Sequence, residues 1–287
     1  MHAHIKMRET EVFGQSLNVE LLNRAPIRPI SYCPVAFMPK GTNTVELLGF
    51  PILTGSHEDV IRQLRERCAA GLQTQVLTLN PEMIMAARVD QSVFALLREA
   101  DVVVADGIGV EFAARLLGIR TVQRYPGVDL AVDLARAMPD QAIFLLGSRP
   151  GVAENAAAGL RTIVPHVNIT GCLDGYFGNA EDHAVARQVA HSGAGILLVG
   201  MGSPRQEQFI AAARHECGAM LLIGVGGSFE VYAGIKHRAP GWVRALGLEW
   251  LHRITQDGSR LHRLACLPGY VKLVLREYIG KLNDQVC

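Results

Sequence analysis

The chain has 287 residues, and 28 lysines and arginines nearly balance 27 acidic residues, giving a formal net charge of +1. At this length we expect one main domain with at most a small addition, and the 49% apolar composition excludes a wholly disordered chain. No apolar run reaches the roughly 18–20 residues of a membrane-spanning helix, and the first residues lack a signal peptide. These features predict a cytoplasmic protein.

The elements predicted along the chain alternate between helices and short strands. Residues 1–43 contain four prolines and little periodicity, so we predict a flexible leader there. A short strand or hairpin, Val45–Leu53, follows and is interrupted by Pro51. The predicted helices cover residues 56–70, 81–98 with a break near Asp90, 108–117, 127–137, 150–163, 180–191 and 204–216. The predicted strands are Gln75–Leu79, Asp101–Ala105, Ile119–Gln123, Ala142–Leu146, Asn168–Cys172, Gly195–Val199 and Ala219–Ile223.

This alternation, with short turns between the elements, predicts an α/β core domain over residues 44–235. Its sheet should be mostly parallel, with helices on both faces. After Gly226-Gly227 the alternation ends, and residues 238–281 show helical spacing instead. Residues 236–281 carry nine basic against three acidic residues and both tryptophans. We therefore predict a basic helical appendage over residues 236–287, and we expect it to dock on a membrane.

Several motifs that would indicate other chemistry are missing. The six cysteines form no C-x-x-C pair, so neither a zinc site nor a disulfide framework is expected. There is no Asp-x-Asp, so no metal clamp on a nucleotide diphosphate is indicated. The phosphate-binding loop of kinases and the glycine fingerprint of dinucleotide enzymes are also absent.

The carboxyl ends of the predicted strands are the expected ligand site, because open α/β sheets bind ligands there. Seven turns fall on this edge, and several carry glycine or serine where a helix begins, which favours phosphate. Asp106 directly follows an apolar strand and precedes Gly107, so it is suited either to a general base or to capping the next helix. Thr78 and Asn80 have the same two interpretations.

Six motifs occur in an order that resembles a known family. They are Thr78-Leu79-Asn80-Pro81, Ala105-Asp106-Gly107-Ile108-Gly109-Val110, Arg124-x-x-Gly127-x-Asp129-Leu130, Gly200-Met201-Gly202-Ser203-Pro204-Arg205-Gln206-Glu207, Gly224-Val225-Gly226-Gly227-x-Phe229, and Ala239-Pro240-x-Trp242 followed by Leu246-Gly247-Leu248-Glu249-Trp250-Leu251-x-Arg253. Over about residues 45–280 the chain resembles the WecG/TagA/CpsF glycosyltransferases, also called family 26.

The resemblance implies an inverting transferase that needs no metal or other cofactor. It would move N-acetylmannosamine, or glucose or another hexose, from a UDP-sugar to a polyprenyl-diphosphate-linked acceptor in cell-surface polysaccharide synthesis. The implied fold is a Rossmann-like core with a C-terminal helical appendage. The implied location is the inner face of the cytoplasmic membrane. A homo-oligomer is compatible with this picture, and no nucleic-acid partner is expected.

The resemblance also implies roles for individual residues. Asp106 would be the general base that deprotonates the acceptor hydroxyl, with Thr78 and Asn80 beside it. Arg124 and Gln206 would hold donor or acceptor. The glycines of the matched turns would contribute to substrate binding, and three arginines of the appendage would meet a diphosphate. These glycines and arginines are Gly200, Gly202, Gly226, Gly227, Arg253, Arg260 and Arg263.

Two other functions compete with the glycosyltransferase. One is a nucleotide-dependent oxidoreductase on a doubly wound sheet, although the fingerprint glycine loop is missing. The other is a non-catalytic peripheral membrane adaptor that would use only the basic C-terminal segment.

Overall fold

The structure, a computed structural model, describes residues 43–245, 247–256 and 266–286. The predicted leader therefore lies outside the described residues except for Asn43. An antiparallel hairpin begins the described chain, formed by β1 (Thr44–Leu47) and β2 (Phe50–Leu53). This confirms the predicted hairpin.

The main sheet has six strands within the described residues. They are β3 (Thr74–Leu79), β4 (Val102–Ala105), β5 (Ile143–Gly147), β6 (Ile169–Leu173), β7 (Ile196–Gly200) and β8 (Leu221–Gly224). The strand order is β4-β3-β8-β7-β5-β6. β5 pairs in parallel with both β6 and β7, and β7 pairs in parallel with β8. The predicted α/β class with a mostly parallel sheet is confirmed.

Helices connect and flank these strands. They are α1 (His57–Ala69), α2 (Pro81–Val89), α3 (Gln91–Arg98), α4 (Ile108–Leu116), α5 (Gly127–Ala137), α6 (Val152–Ile163), α7 (Asp182–His191), α8 (Arg205–Ala213), α9 (Ser228–Tyr232), α10 (Gly241–Ala245), α11 (Glu249–Gln256) and α12 (Leu267–Val286). The last three confirm that the described part of the C-terminal segment is helical.

The break predicted near Asp90 is present and has a clear cause. Asp90 ends α2 in an extended conformation, and its side chain accepts hydrogen bonds from the Ser92 and Val93 N–H groups. An aspartate that accepts from these two N–H groups is a typical N-cap, so it starts α3 where α2 stops. Asn80 and Pro81 begin α2 in the same way, as N-cap and first helical residue.

The predicted strand Ile119–Gln123 is wrong. Its backbone groups are used elsewhere: the Ile119 N–H closes the end of α4 on the Ala114 carbonyl, and the Thr121 carbonyl accepts an N–H from the loop before α1. The segment reaches the sheet only after the predicted range, through an isolated parallel bridge from Arg124 to the end of β4. Local β-propensity was overridden by these contacts, which a sequence pattern does not contain.

The described chain divides into two compact units. One contains residues 64–76 and 127–237, and its core includes Phe144, Leu146, Val199, Phe209 and Leu222. The other contains residues 43–63, 77–126, 238–245, 247–256 and 266–286. The contacts therefore group the described C-terminal residues with residues 77–126.

Helix α12 supplies part of the core of the second unit. Tyr270, Leu273 and Val274 are buried in the same cluster as Ile84 of α2 and Val110 of α4. The opposite face of α12 is exposed. No helix in the described part of the chain has the length and apolarity needed to cross a bilayer.

Because α12 is a core element, Leu273→Ala should destabilise the protein strongly. Leu273 is 1% exposed, and removing a buried leucine side chain costs about 2–5 kcal/mol of unfolding free energy. Leu275 lies on the exposed face of the same helix at 46% exposure, so Leu275→Ala should change it by less than about 0.5 kcal/mol. Urea denaturation measures both, and equal effects would contradict the packing described for α12.

Candidate active site

Four predicted site residues lie in the second unit, at or just after the ends of β3 and β4 and just before α5. They are Thr78, Asn80, Asp106 and Arg124, and we call them the Asp106 cluster. Thr78 is buried, whereas the other three are partly exposed. The sequence predicted that the carboxyl ends of these strands would carry the site, and the chain does place these polar side chains there.

Backbone hydrogen bonds join the three turns of the Asp106 cluster. The Asp106 N–H donates to the Leu79 carbonyl at 2.7 Å, and the Tyr125 N–H donates to the Ala105 carbonyl at 2.6 Å. Each residue of the cluster therefore either forms one of these two hydrogen bonds or is next in sequence to a residue that does. The distance between neighbouring turns is therefore set by backbone hydrogen bonds and not by flexible side chains.

Asn80 serves as a helix cap. Its Oδ1 accepts a hydrogen bond from the Met83 N–H at 3.0 Å. The capping interpretation of Asn80 is thus confirmed for the side-chain oxygen, and the cap does not use the amide nitrogen. An asparagine that caps a helix has a fixed orientation, so the two N–H donors of the Asn80 amide are held in a defined direction.

Asp106 precedes the N-cap position of α4, which Gly107 occupies. Gly107 has a φ of 89°, a left-handed conformation that a residue with a side chain adopts at a cost. Gly109 allows a close approach, because a Cβ there would lie 2.6 Å from Pro81 Cγ. The two glycines let the chain turn sharply after Asp106 and pack against the start of α2.

Arg124 is held by contacts at both its side chain and its backbone. Nη2 donates to the Arg244 carbonyl at 2.6 Å, and Nε lies 3.9 Å from Glu111 Oε2. The Arg124 carbonyl accepts from His57 Nε2 at 2.9 Å, so that ring nitrogen carries the proton. The His57 ring also stacks on Tyr125, with ring centroids 3.9 Å apart and planes 2° apart.

Glu111 is a buried neighbour of Arg124 that sequence reasoning did not single out. It is 7% exposed and lies between two arginines: Oε1 accepts from Arg115 Nη2 at 2.7 Å, and Oε2 faces Arg124. A buried carboxylate needs such cationic partners. The available signal was its position on the first turn of α4, directly after the Asp106-Gly107 motif.

The C-terminal segment contacts the Asp106 turn within the same unit. Tyr270 Oη of α12 donates to the Gly109 carbonyl at 3.0 Å, and a Cβ at Gly247 would lie 2.6 Å from Ile108 Cγ1. Burial raises the pKa of the Tyr270 phenol, which therefore stays protonated and donating at neutral pH. The geometry of the 106–109 turn thus depends on residues more than 130 positions further along the chain.

The other predicted residues belong to the first unit or lie outside the description. Gln206, Gly200, Gly202, Gly226 and Gly227 are in the unit of residues 64–76 and 127–237. Arg253 is in α11, and its side chain is outside the described part. Arg260 and Arg263 lie outside the described residues.

No group of three His, Cys, Asp or Glu side chains that could hold a metal ion occurs among the described residues. The Asp106 cluster offers a carboxylate, an amide, a hydroxyl and a guanidinium. This set can accept a proton and bind a phosphate group.

Residues 45–284 match the model of the glycosyl transferase WecG/TagA/CpsF family. The chain belongs to this family. The match includes the Asp106 cluster, the glycine turns of the first unit and the described C-terminal segment up to residue 284, and it identifies the protein as a glycosyltransferase.

Two relatives of this WecG/TagA/CpsF transferase are named N-acetylglucosaminyldiphosphoundecaprenol N-acetyl-beta-D-mannosaminyltransferase. The one from Bacillus subtilis is 34% identical over 72% of this chain and 80% of its own length. The one from Staphylococcus aureus strain MW2 is 34% identical over 67% of this chain and 76% of its own length. A substrate-binding periplasmic protein from Ralstonia solanacearum is similar with a TM-score of 0.29 and 14% identity, over 63% of this chain and 53% of its own, which adds nothing to the fold.

The Glu111–Arg124 pair in this WecG/TagA/CpsF transferase leads to a prediction. Glu111→Gln should lower kcat/KM for transfer roughly tenfold, because Arg124 loses the charge that orients it, and tenfold is the effect of about 1.4 kcal/mol. Arg115→Ala is the matched control, since Arg115 is 62% exposed and pairs with the other Glu111 oxygen. Steady-state kinetics of both variants test this, and equal kcat/KM losses would contradict a specific link to Arg124.

Proposed function

We propose that the enzyme transfers N-acetylmannosamine from a UDP-sugar to N-acetylglucosamine carried on a polyprenyl diphosphate. The observation that carries this proposal is that two relatives, each 34% identical, are named for that acceptor and that sugar. Their names specify a β-linked product, which requires inversion when the donor sugar is α-linked to UDP. Glucose or another hexose is the alternative donor sugar, because a few pocket contacts decide such a choice.

The Asp106 cluster supports a simple displacement. The acceptor hydroxyl attacks the anomeric carbon and loses its proton to the Asp106 carboxylate. The bond from the sugar to UDP breaks, and its electron pair stays on the diphosphate oxygen. We assign the stabilisation of diphosphate charge to Arg124, whose side chain is 29% exposed and already oriented by Glu111 and the Arg244 carbonyl.

We also propose that the enzyme works at the inner face of the cytoplasmic membrane, in cell-surface polysaccharide synthesis. Helix α12 exposes an apolar row at helical spacing, consisting of Val271, Leu275, Ile279 and Leu282. Lys272 and Arg276 are exposed beside this row. An apolar face with flanking basic residues suits an anionic bilayer surface, where a lipid-linked acceptor is found.

A panel of UDP-sugars tests the choice of donor. The full chain is incubated with each one and a short-chain polyprenyl-diphosphate-linked N-acetylglucosamine, and UDP release that depends on the acceptor is measured. We expect UDP-N-acetylmannosamine to give the fastest release. UDP release that does not depend on the acceptor would indicate hydrolysis of the donor. In a parallel incubation with NAD(P)H, turnover of NAD(P)H without UDP release would favour an oxidoreductase.

We predict that transfer does not require a divalent metal. In the proposed mechanism arginine side chains take the role that a metal ion has in other transferases. Rates measured in EDTA should therefore equal those measured with added magnesium. A loss in EDTA that magnesium or manganese restores would contradict the metal-free mechanism.

A further inference from the structure

The Gln206 side chain in the first unit is buried, and both ends of its amide are engaged. Gln206 is 3% exposed, Nε2 donates to Glu207 Oε1 at 2.7 Å, and Oε1 accepts from the Gly226 N–H at 3.1 Å. A side chain in this state has little capacity left for a ligand. Its contacts join the first turn of α8 to the loop after β8.

Glu207, the partner of Gln206, has no assigned role. It is 1% exposed, and its Oε2 has no hydrogen-bond partner among the described residues. Burial raises the pKa of the Glu207 carboxyl, while Gln206 and Ser203 offset part of this rise. A neutral carboxyl avoids the large penalty of an ionised one in the interior and still offers Oε1 to the Gln206 amide.

The loop after β8 is packed closely against this pair. A Cβ at Gly224 would lie 2.5 Å from Gln206 Nε2, and a Cβ at Gly200 would lie 3.0 Å from the Gly226 carbonyl oxygen. The position of Gly226 is therefore determined by the orientation of the Gln206 amide and by the end of β7. A half-turn rotation of that amide would bring Nε2 in place of Oε1 to the Gly226 N–H, and two donors would then face each other.

We infer that Gln206 and Glu207 are positioning residues: Glu207 orients the Gln206 amide, and Gln206 holds the Gly226-Gly227 turn in place for the sugar nucleotide. This inference rests on the proposed function, in which the turn binds the donor, and it assigns Gln206 a role without ligand contact.

Exchanging the two side chains tests the inference. Gln206→Glu alone places two carboxyl groups side by side. The hydrogen bond between positions 206 and 207 then forms only while the two carboxyl groups share a proton. Its kcat/KM should fall at least tenfold at about pH 8 and recover in part at about pH 6. In Gln206→Glu/Glu207→Gln the carboxylate at position 206 accepts from both the Gly226 N–H and the new amide. This double variant should return to within about threefold of wild type, with KM for the donor restored.

Two outcomes would overturn the inference. If the double variant stays as impaired as Gln206→Glu, the Gln206 amide itself contacts substrate. If Gln206→Glu alone is fully active at both pH values, the contact has no role. Gln208→Glu, an exposed glutamine on the same helix, is the matched control and should be unaffected.

Thermal melting provides a readout that does not depend on transfer. Because its pKa is raised, the Glu207 carboxyl adds stability at low pH, and this contribution is lost as pH rises through the folded-state pKa. Glu207→Gln should therefore lose less melting temperature than wild type as the pH is raised from about 4.5, the ordinary value for a glutamate carboxyl. If the melting temperatures of Glu207→Gln and of the wild type depend on pH in the same way, the pKa of Glu207 is not raised by burial beside Gln206. If the wild type shows no transfer, the proposed function fails while the melting result still stands.

Discussion

Replacing Asp106 with asparagine is expected to lower the turnover of sugar transfer about 10²–10⁴-fold, the usual range for losing a general base. Asparagine keeps the shape of the side chain and leaves the Asp106 N–H bonded to the Leu79 carbonyl, so the 106–109 turn should not move. It cannot accept the proton of the acceptor hydroxyl. Donor affinity should therefore stay near wild type, and the loss should fall on kcat.

Asp101→Asn is a matched control for this variant. Asp101 immediately precedes β4, whereas Asp106 immediately follows it, so the two substitutions alter opposite ends of one strand. Circular dichroism and UDP titration check that both variants fold and bind the nucleotide. Turnover of Asp106→Asn within a few-fold of wild type would assign the base to another group.

Replacing two residues of the exposed α12 row should remove binding to anionic vesicles. In Leu275→Glu/Ile279→Glu the mutated positions are 46% and 55% exposed in the wild type, so the core is not disturbed. Burying an aliphatic side chain is worth about 1.5–3 kcal/mol, and a new acidic residue is repelled by the anionic surface. We expect the vesicle affinity to fall at least about a hundredfold.

Ile163→Glu is the control for this second variant, because Ile163 is an exposed isoleucine of α6 in the other unit. Vesicle sedimentation measures binding, and light scattering shows whether the row instead joins two copies of the chain. Transfer to a short, water-soluble acceptor should stay near wild type. Unchanged vesicle binding, or loss of a dimer without loss of vesicle binding, would contradict a membrane role for α12.

Much of the fold could be predicted because its signals are local. The break at Asp90 follows from a side chain that accepts hydrogen bonds from the Ser92 and Val93 N–H groups, and the bounds of α5 agree with the prediction of residues 127–137. Alternation of helices and apolar strands predicted the parallel sheet. The strand prediction at Ile119–Gln123 failed because its backbone partners lie elsewhere in the chain.

The sequence predicts the residues of each turn of the site separately, but not the contacts between turns. Asp106, Asn80 and Arg124 follow strands or precede helices, and that position is visible in the sequence. The partners of Arg124 are not, since the Arg244 carbonyl lies 120 positions further along the chain and Glu111 is hidden within an amphipathic helix. The burial of Gln206 is equally invisible, because its partner Gly226 belongs to a different turn.

The C-terminal segment shows the same limit at a larger scale. Its charge and tryptophans predicted a basic appendage, and one face of α12 is an exposed apolar row beside Lys272 and Arg276. Its other face is core, with Tyr270 bonded to the Gly109 carbonyl beside Asp106. Within this unit the proposed membrane-facing helix and the turn that carries the proposed base are therefore in direct contact.

The product formed from UDP-N-acetylmannosamine and the short-chain diphosphate-linked N-acetylglucosamine tests the central proposal most directly. Its mass and the anomeric configuration of its new bond are read after incubation with the full chain. We predict an acceptor extended by one N-acetylhexosamine in β-linkage. An acceptor left unchanged by folded, UDP-binding protein, or a product in α-linkage, would contradict the account.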